Sequence, residues 1–176
     1  MTERKLIQLA VKGKESAMDS LYHKYERLWY RLCLRYADNS HQAQDIFQEG
    51  LFNIFKDLKQ FNADKGKFST WSGRVFVHAA LRYIRKNQWQ QTFEELDESV
   101  GKHLLIQDII GSISARELIQ VIQKLPTGYR IIFNMYELEG YTHKEIAEQL
   151  DISIGTSKSQ LSKAKSLLRK KIDQLF

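Results

Sequence analysis

The chain has 176 residues, with 27 lysines and arginines against 21 aspartates and glutamates, and therefore a formal net charge of +6. Its single cysteine, Cys33, excludes a disulfide scaffold, and the amino terminus lacks the apolar core of a secretory signal. No run approaches the roughly 18 apolar residues of a membrane span, and one proline with nine glycines favours long helices. We therefore expect a cytoplasmic, mostly helical protein with no inserted membrane segment.

The basic residues are concentrated in two segments. No acidic residue occurs between Asp64 and Glu94 or between Asp151 and Asp173, and each interval holds six lysines or arginines. Between them, residues 94–108 carry five acidic residues and one lysine. A single run of this kind is often a solvated face. Two runs that coincide with helices favour a polyanionic partner, because neutralising phosphates releases condensed counterions.

The first 36 residues predict one helix, and a second follows a turn at residues 38–40. The stripe of the first helix recurs in steps of three and four residues, namely Leu21, Tyr25, Leu28, Leu32 and Tyr36. Cys33 lies in this helix and is expected to be a buried hydrophobe rather than a nucleophile. The second helix has an apolar side and a polar side, which includes Asp45, Gln48 and Glu49.

A loop at residues 61–67 precedes a third helix, predicted from about Ser69 to Gln88. Apolar residues cover most of this helix and leave a narrow basic stripe of Arg74, His78, Arg82 and Arg85. These four residues share one face over about 17 Å, a length that could follow roughly five nucleotides of one strand. Trp71 and Trp89 flank the stripe and could stack on bases, although burial is the expectation for Trp71.

Residues 91–111 show no sustained period and predict a linker. Beyond it, Ser114 and Glu117 have the spacing of a capping box for a further helix. Pro126 ends that helix and permits the next, which ends at Gly140.

The last 36 residues predict a helix-turn-helix. Thr142 and Glu145 again have capping-box spacing at the head of a short helix, and a tight turn at residues 151–154 leads to a second helix with Ser153 as its cap. The inward stripe of that helix is Leu161, Ala164, Leu168 and Ile172. Its outward face offers lysines and hydroxyls, as expected of a helix that enters the major groove.

These motifs resemble those of extracytoplasmic-function sigma factors of bacterial RNA polymerase, in the sigma-70 superfamily. Residues 125–168 look like region 4 of the family, whereas residues 42–58 and 68–86 look like region 2, in the family's order and spacing. The variant at residues 155–161 is similar to members from Bacteroidetes. The resemblance implies an all-α fold of two small helical domains, with region 2 at residues 1–92, an acidic linker at 93–111 and region 4 at 112–176.

The resemblance also implies roles for particular residues. The helix with Asp45, Gln48 and Glu49 would bind core RNA polymerase. The loop and the basic helix would bind and melt the minus-10 element through Asn62, Asp64, Lys65, Lys67, Arg74, His78, Arg82, Arg85 and Lys86. The last helix would bind the minus-35 element through Ser153, Thr156, Lys158, Ser159, Gln160, Lys163 and Arg169. The linker would thread the polymerase near its RNA exit path.

Three positions depart from the pattern common in the family. Asp151 replaces a frequent glycine, but aspartate tolerates the left-handed conformation better than most residues, so the turn is expected to form. Ser157 replaces a frequent valine and weakens an inward contact. Gln160 replaces a frequent arginine and could pair with adenine instead of a phosphate or guanine.

The resemblance implies core RNA polymerase, promoter DNA and a separate anti-sigma factor as partners. No cofactor, metal ion or small-molecule substrate is expected, and neither is enzymatic activity. The five histidines are dispersed, no cysteine or histidine pair has zinc spacing, and no glycine-rich phosphate loop occurs. Two alternatives remain open. One is a dimeric repressor of the one-component or response-regulator type, and the other is a helical adaptor, which leaves the basic segments unexplained.

Overall fold

A computed structural model of the chain describes residues 1–92 and 114–174, and of residues 88–92 it describes the backbone alone. Regular structure in these ranges is helical throughout, which confirms the predicted all-α fold class. The chain divides into two units, residues 1–87 and 88–176. The acidic linker predicted at residues 93–111 and the side chain of Trp89 lie outside the described residues.

The first unit contains α1 (Glu3–Val11), α2 (Glu15–Tyr36), α3 (Ser40–Asp57), a 3-10 turn (Leu58–Gln60) and α4 (Phe68–Thr92), which continues past residue 87. The described part of the second unit contains α5 (Ala115–Gln123), α6 (Thr127–Phe133), a π-helical segment (Asn134–Leu138), α7 (His143–Leu150) and α8 (Ile154–Asp173).

The prediction of a single helix over the first 36 residues is wrong, because a turn at residues 12–14 separates α1 from α2. Gly13 adopts φ +79°, a left-handed conformation that glycine enters without steric cost. The N–H of Lys14 donates to the carbonyl of Leu9 (3.1 Å), and the N–H of Gly13 donates to that of Ala10 (2.9 Å). This pair of bonds is a Schellman ending. This ending separates α1 from α2 and lets α1 pack against α2.

The core of the first unit is organised around Trp29, which the predicted stripe omitted. Trp29 is completely buried, whereas Leu28 is 50% exposed, so the prediction for Leu28 is wrong. A stripe through residues 21, 25, 29, 32 and 36 follows the 3.6-residue period more closely than one through residue 28. The indole N–H of Trp29 donates to Ser72 Oγ on α4 (3.0 Å), which satisfies both groups in the core.

The approach of α3 to α4 depends on a glycine. A Cβ atom added at Gly50 would lie 2.3 Å from two ring carbons of Phe76, which is completely buried. The Phe76 ring stacks on Trp29 with 5.3 Å between centroids and on Phe47 with 5.7 Å. The ring therefore occupies the space that any side chain at Gly50 would need.

An aromatic cluster fixes the start of α4. Phe68, the first residue of the helix, is buried and contacts the rings of Tyr25 (5.1 Å), Phe61 (5.3 Å) and Trp71 (5.6 Å). Trp71 is half-buried in this cluster, which agrees with the expectation of burial. The cluster holds both ends of the 61–67 loop against the body of the first unit.

The helices of the second unit begin where the sequence predicts. Ser114 and Glu117 form a complete capping box at the head of α5. The helix that begins after Pro126 continues through the π segment and ends at Leu138, two residues before Gly140, which adopts φ +75°. Arg130 is buried, and its guanidinium donates to the carbonyls of Gln123 (2.9 Å) and Leu125 (3.3 Å). This arginine therefore ties α6 to the end of α5.

The helix-turn-helix forms as the sequence predicts. Thr142 and Glu145 make the capping box of α7, and Ser153 caps α8 by accepting from the N–H of Thr156 (2.9 Å). Asp151 adopts φ +55°, which confirms that aspartate supports the left-handed turn. The predicted inward stripe of α8 is buried at all four positions.

Candidate nucleic-acid interface

The basic stripe on α4 lies on the surface of the first unit. Arg74, His78, Arg82 and Arg85 are all exposed, as is Lys86 beyond them. The opposite side of the helix is core, since Val77, Ala80 and Ile84 are buried. Burial of the apolar side fixes the rotation of α4, so the stripe is held outward along about three turns of helix.

His78 is the member of this stripe that titrates nearest neutral pH. Partial loss of hydration lowers the pKa of His78 below its ordinary value of 6.5, and the charges of Arg74, Arg82 and Arg85 lower it further. The ring is therefore neutral at pH 7. It offers a hydrogen bond within a charged stripe rather than another positive charge.

The 61–67 loop carries four predicted DNA contacts, and all four are exposed: Asn62, Asp64, Lys65 and Lys67. The Asn62 side chain accepts a hydrogen bond from the N–H of Asp64 (2.9 Å), and the Asn62 carbonyl accepts from the N–H of Lys65 (3.1 Å). An Asx turn of this kind gives a loop a defined shape without tertiary packing. The two lysines thus emerge from an ordered turn.

Helix α1 contributes to the same site, which the sequence did not indicate. An open cavity of about 470 Å³ lies between α1 and the loop, lined on the helix side by Glu3, Arg4 and Ile7. The Arg4 guanidinium lies 3.7 Å from the Asp64 carboxylate. The carboxylate of Glu3 accepts from the hydroxyl of Tyr25 and pairs with Lys24, which seats α1 on α2. The separation of α1 from the loop along the chain leaves no local pattern that could have revealed this.

The predicted polymerase-binding residues on α3 lie beside the α4 stripe. The Glu49 carboxylate pairs with the guanidinium of Arg82 (3.2 Å), and the Asp45 carboxylate accepts from the hydroxyl of Tyr83 (3.3 Å). Gln48, between them along α3, is exposed. Two sets of residues with separate predicted roles therefore form one surface, joined by an ion pair that the sequence did not reveal.

The predicted DNA contacts on α8 divide by exposure. Ser153, Lys158 and Ser159 are exposed, whereas Thr156, Lys163 and Arg169 are partly exposed. Gln160 is only 9% exposed, and its Oε1 has no hydrogen-bond partner among the described residues. In this structure Gln160 therefore does not present its amide to the surface, where pairing with adenine would require it. Ser157 is buried, as the inward position predicts.

Local hydrogen bonds occupy several hydroxyls of this face. The Ser153 and Thr156 hydroxyls lie 2.9 Å apart, and the Ser159 hydroxyl donates to the Thr156 carbonyl (3.1 Å). The Arg169 guanidinium lies 3.9 Å from the Asp173 carboxylate. The hydroxyl contacts orient side chains at the head of α8, and the ion pair orients Arg169 near the end of the helix.

Metal-binding and membrane-spanning features are absent from the part of the chain that the structure describes. Residues 1–92 and 114–174 contain no group of three or more histidine, cysteine or acidic side chains placed to hold a metal ion. No helix in the same ranges has the length and apolarity needed to cross a bilayer. Burial raises the pKa of the Cys33 thiol to about 12, so the side chain is an inert part of the core.

Known proteins match the chain over both units. The family model described as Sigma-70 region 2 matches residues 21–90, and the model described as Sigma-70, region 4 matches residues 115–168. The chain is 28% identical to the ECF RNA polymerase sigma factor SigW of Bacillus subtilis, with 99% of each chain covered. It is 25% identical to the ECF RNA polymerase sigma-E factor of Haemophilus influenzae, with 100% of this chain and 98% of the relative covered.

Solved structures share the fold. CnrH in complex with the cytosolic domain of CnrY aligns with a TM-score of 0.54 at 16% identity, covering 98% of this chain and 97% of that one. The sigma factor RpoE of Bartonella quintana, in complex with the anti-sigma factor NepR, aligns with a TM-score of 0.53 at 18% identity, covering 86% and 94%. Two sigma-70 regions in order, together with relatives matched from end to end, place this chain in the extracytoplasmic-function sigma factors of the sigma-70 family.

Proposed function

We propose that this sigma factor binds core RNA polymerase through α3, melts the minus-10 element with the 61–67 loop and α4, and anchors on the minus-35 element with α8. It thereby directs promoter recognition and transcription initiation. The observation that carries the proposed division of labour is the presence of one exposed basic helix face in each of the two sigma-70 regions.

The first region supports a melting role through its chemistry. A flipped base loses stacking and pairing worth a few kcal/mol. The open cavity beside the 61–67 loop and the aromatic cluster at the ends of the loop offer a place for a flipped base. The α4 stripe offers cations for the separated strand. Asn62, Asp64, Lys65 and Lys67 would act at the cavity, and Arg74, His78, Arg82, Arg85 and Lys86 along the strand.

The acidic face of α3 supports polymerase binding beside this strand path. Asp45, Gln48 and Glu49 would contact the polymerase. Because Glu49 also pairs with Arg82, a polymerase group that engages this carboxylate would leave the arginine available to a phosphate. The assigned roles of α3 and α4 are therefore physically adjacent.

Helix α8 supports duplex binding in the second region. Its amino-terminal half and cap present Ser153, Thr156, Lys158 and Ser159. The partly exposed Lys163 and Arg169 are suited to phosphates. Gln160 would contribute only after a change of side-chain conformation. The linker at residues 93–111 would thread the polymerase along a path otherwise used by RNA.

The proposed partners are core RNA polymerase, promoter DNA and an anti-sigma factor, and the proposed site of action is the cytoplasm. An anti-sigma partner is supported by the similarity to the RpoE of the complex with NepR. We assign the protein no enzymatic activity of its own and no metal ion or cofactor.

The test is in vitro transcription with purified core polymerase and a library of genomic promoters. We expect specific run-off products that depend on adding this protein, which should be monomeric in solution. No run-off product, together with a stable dimer that binds a two-fold operator, would instead identify a helix-turn-helix repressor.

A further inference from the structure

A polar contact joins the two helices of the helix-turn-helix. His143 is the first residue of α7, and its Nδ1 lies 2.9 Å from the hydroxyl oxygen of Ser157 on α8. Ser157 is completely buried, and its own N–H donates to the Ser153 carbonyl (3.0 Å). A buried hydroxyl without a partner is costly, so the imidazole satisfies a group that a valine would not have introduced.

The π segment holds the histidine from its other side. The ring of Tyr136 stacks on that of His143 with 4.3 Å between centroids and 22° between planes. The segment is closed by the π-type bond from the N–H of Glu139 to the Asn134 carbonyl (2.9 Å) and by the bond from the N–H of Tyr141 to the Met135 carbonyl (2.9 Å). A π turn changes the direction in which side chains leave a helix and is frequent at functional sites.

Charged groups around His143 favour its neutral form. Partial burial lowers the pKa of His143, and Lys158 and Lys165 of α8 lower it further, while Glu137 of the π segment opposes them. Lys165 also forms an ion pair with Glu137, which bridges the same two elements. A neutral imidazole can accept from the Ser157 hydroxyl through Nδ1, whereas a protonated ring would place another positive charge between two lysines.

We propose that His143 is a positioning residue for the minus-35 helix. Its ring, held between Tyr136 and Ser157, fixes the rotation of the first two turns of α8, where Thr156 and Lys158 flank the anchored serine. This inference rests on the proposed function, since it assigns the contact a consequence for duplex recognition by α8.

The first test measures this consequence on holoenzyme. Run-off is compared between a promoter selected from the library and the same promoter with its minus-35 element scrambled. We expect His143→Leu to lower the ratio of the two yields roughly five- to tenfold, because it leaves the buried Ser157 hydroxyl without its partner. His143→Asn, whose amide can reach the serine, should restore most of the ratio. His23→Leu, at an exposed histidine on α2, is the matched control and should leave it unchanged.

A pH series separates positioning from general stability. The ratio for the natural protein should fall as pH decreases below 6.5 and the ring of His143 becomes protonated, whereas the ratio for His143→Asn should stay flat. Equal profiles for the two proteins, or an unchanged ratio in His143→Leu, would overturn the proposal.

The second test needs no polymerase and therefore separates this inference from the proposed function. In the free protein, amide hydrogen exchange at residues 157–160 should rise roughly tenfold in His143→Leu and return toward the natural rate in His143→Asn. Unchanged exchange would overturn the positioning role even if transcription failed for another reason. Absence of run-off from the natural protein would overturn the proposed function alone.

Discussion

The two basic surfaces differ in what surrounds their cations. On α4, three arginines share one face with a neutral histidine, and Arg82 is paired with an acidic neighbour on α3. On α8, lysines alternate with hydroxyls that already bond locally, as Ser153 and Thr156 do. Dense arginines suit a phosphate chain, whereas mixed short polar groups suit the edges of base pairs. The two surfaces, although both basic, therefore suit different contacts with DNA: phosphates for α4 and base edges for α8.

The surface on α4 depends on the packing beneath it, and this dependence gives the strongest prediction. Gly50→Ala should lower the free energy of unfolding by about 1–3 kcal/mol, because the new methyl group would overlap the buried Phe76 ring. Denaturant unfolding measures this change.

Gly73→Ala is the matched control on α4. The atom nearest to an added Cβ there is a Leu32 methyl carbon at 4.0 Å, so the helix gains propensity without overlap. Stability should stay equal or rise. Equal losses in both variants would show that the loss in Gly50→Ala does not come from overlap with the Phe76 ring.

The second prediction concerns strand capture by α4. Arg82→Ala combined with Arg85→Ala should reduce run-off from linear duplex promoters roughly tenfold or more, because two cations leave the proposed strand path. On templates melted in advance over the minus-10 element the defect should be much smaller. The same loss on both templates would contradict a role in melting.

The third prediction concerns the surface on α8. Lys163→Ala should weaken promoter binding by holoenzyme on all sequences alike, and the slope of log affinity against log salt should fall by about one unit if the lysine contacts a phosphate. Fluorescence anisotropy across a salt series measures both. A sequence-dependent loss with an unchanged slope would assign Lys163 to base contacts instead.

The smallest predicted effect is the titration of His78. Arg85→Ala should raise the pKa of His78 toward its ordinary value of 6.5, because one of the repelling charges is removed. Nuclear magnetic resonance titration of the ring protons measures the shift. No upward shift would mean that loss of hydration, rather than the arginines, holds the pKa low.

The lowered pKa of His78 also determines how the free energy of unfolding changes with pH. Between the lowered pKa of His78 and pH 6.5, the folded chain binds fewer protons than the unfolded chain. The contribution of His78 to the free energy of unfolding is therefore complete above pH 6.5 and declines as the pH falls through that window. His143 acts in the same direction.

Periodic patterns predicted the helices well where burial on one face repeats, as on α8, and where caps are local, as at Ser114 and Thr142. They failed at Gly13, because a helical stripe can continue in sequence across a break made by one left-handed residue. They also assigned Leu28 to the core in place of its neighbour Trp29. Steps of three and of four residues are both helical, so only the packing shows that Trp29 is the buried one.

The candidate site divides in the same way. Its residue types and helix faces follow from local sequence, and the exposure of the α4 stripe agrees with them. Burial of Gln160 does not follow, because its position borders the apolar stripe and the packing around α8 determines on which side the amide lies.

Sequence alone therefore specified two helical regions, most of their caps, the core stripe of α8 and the location of their positive charge, because these depend on neighbours within about one or two helical turns. Contacts between distant residues required the folded chain, as for Glu49 with Arg82, Arg4 with Asp64, and His143 with Ser157. The physical reason is that the local pattern sets which residues a helix exposes or buries, whereas the packing of one helix on another sets which polar groups meet.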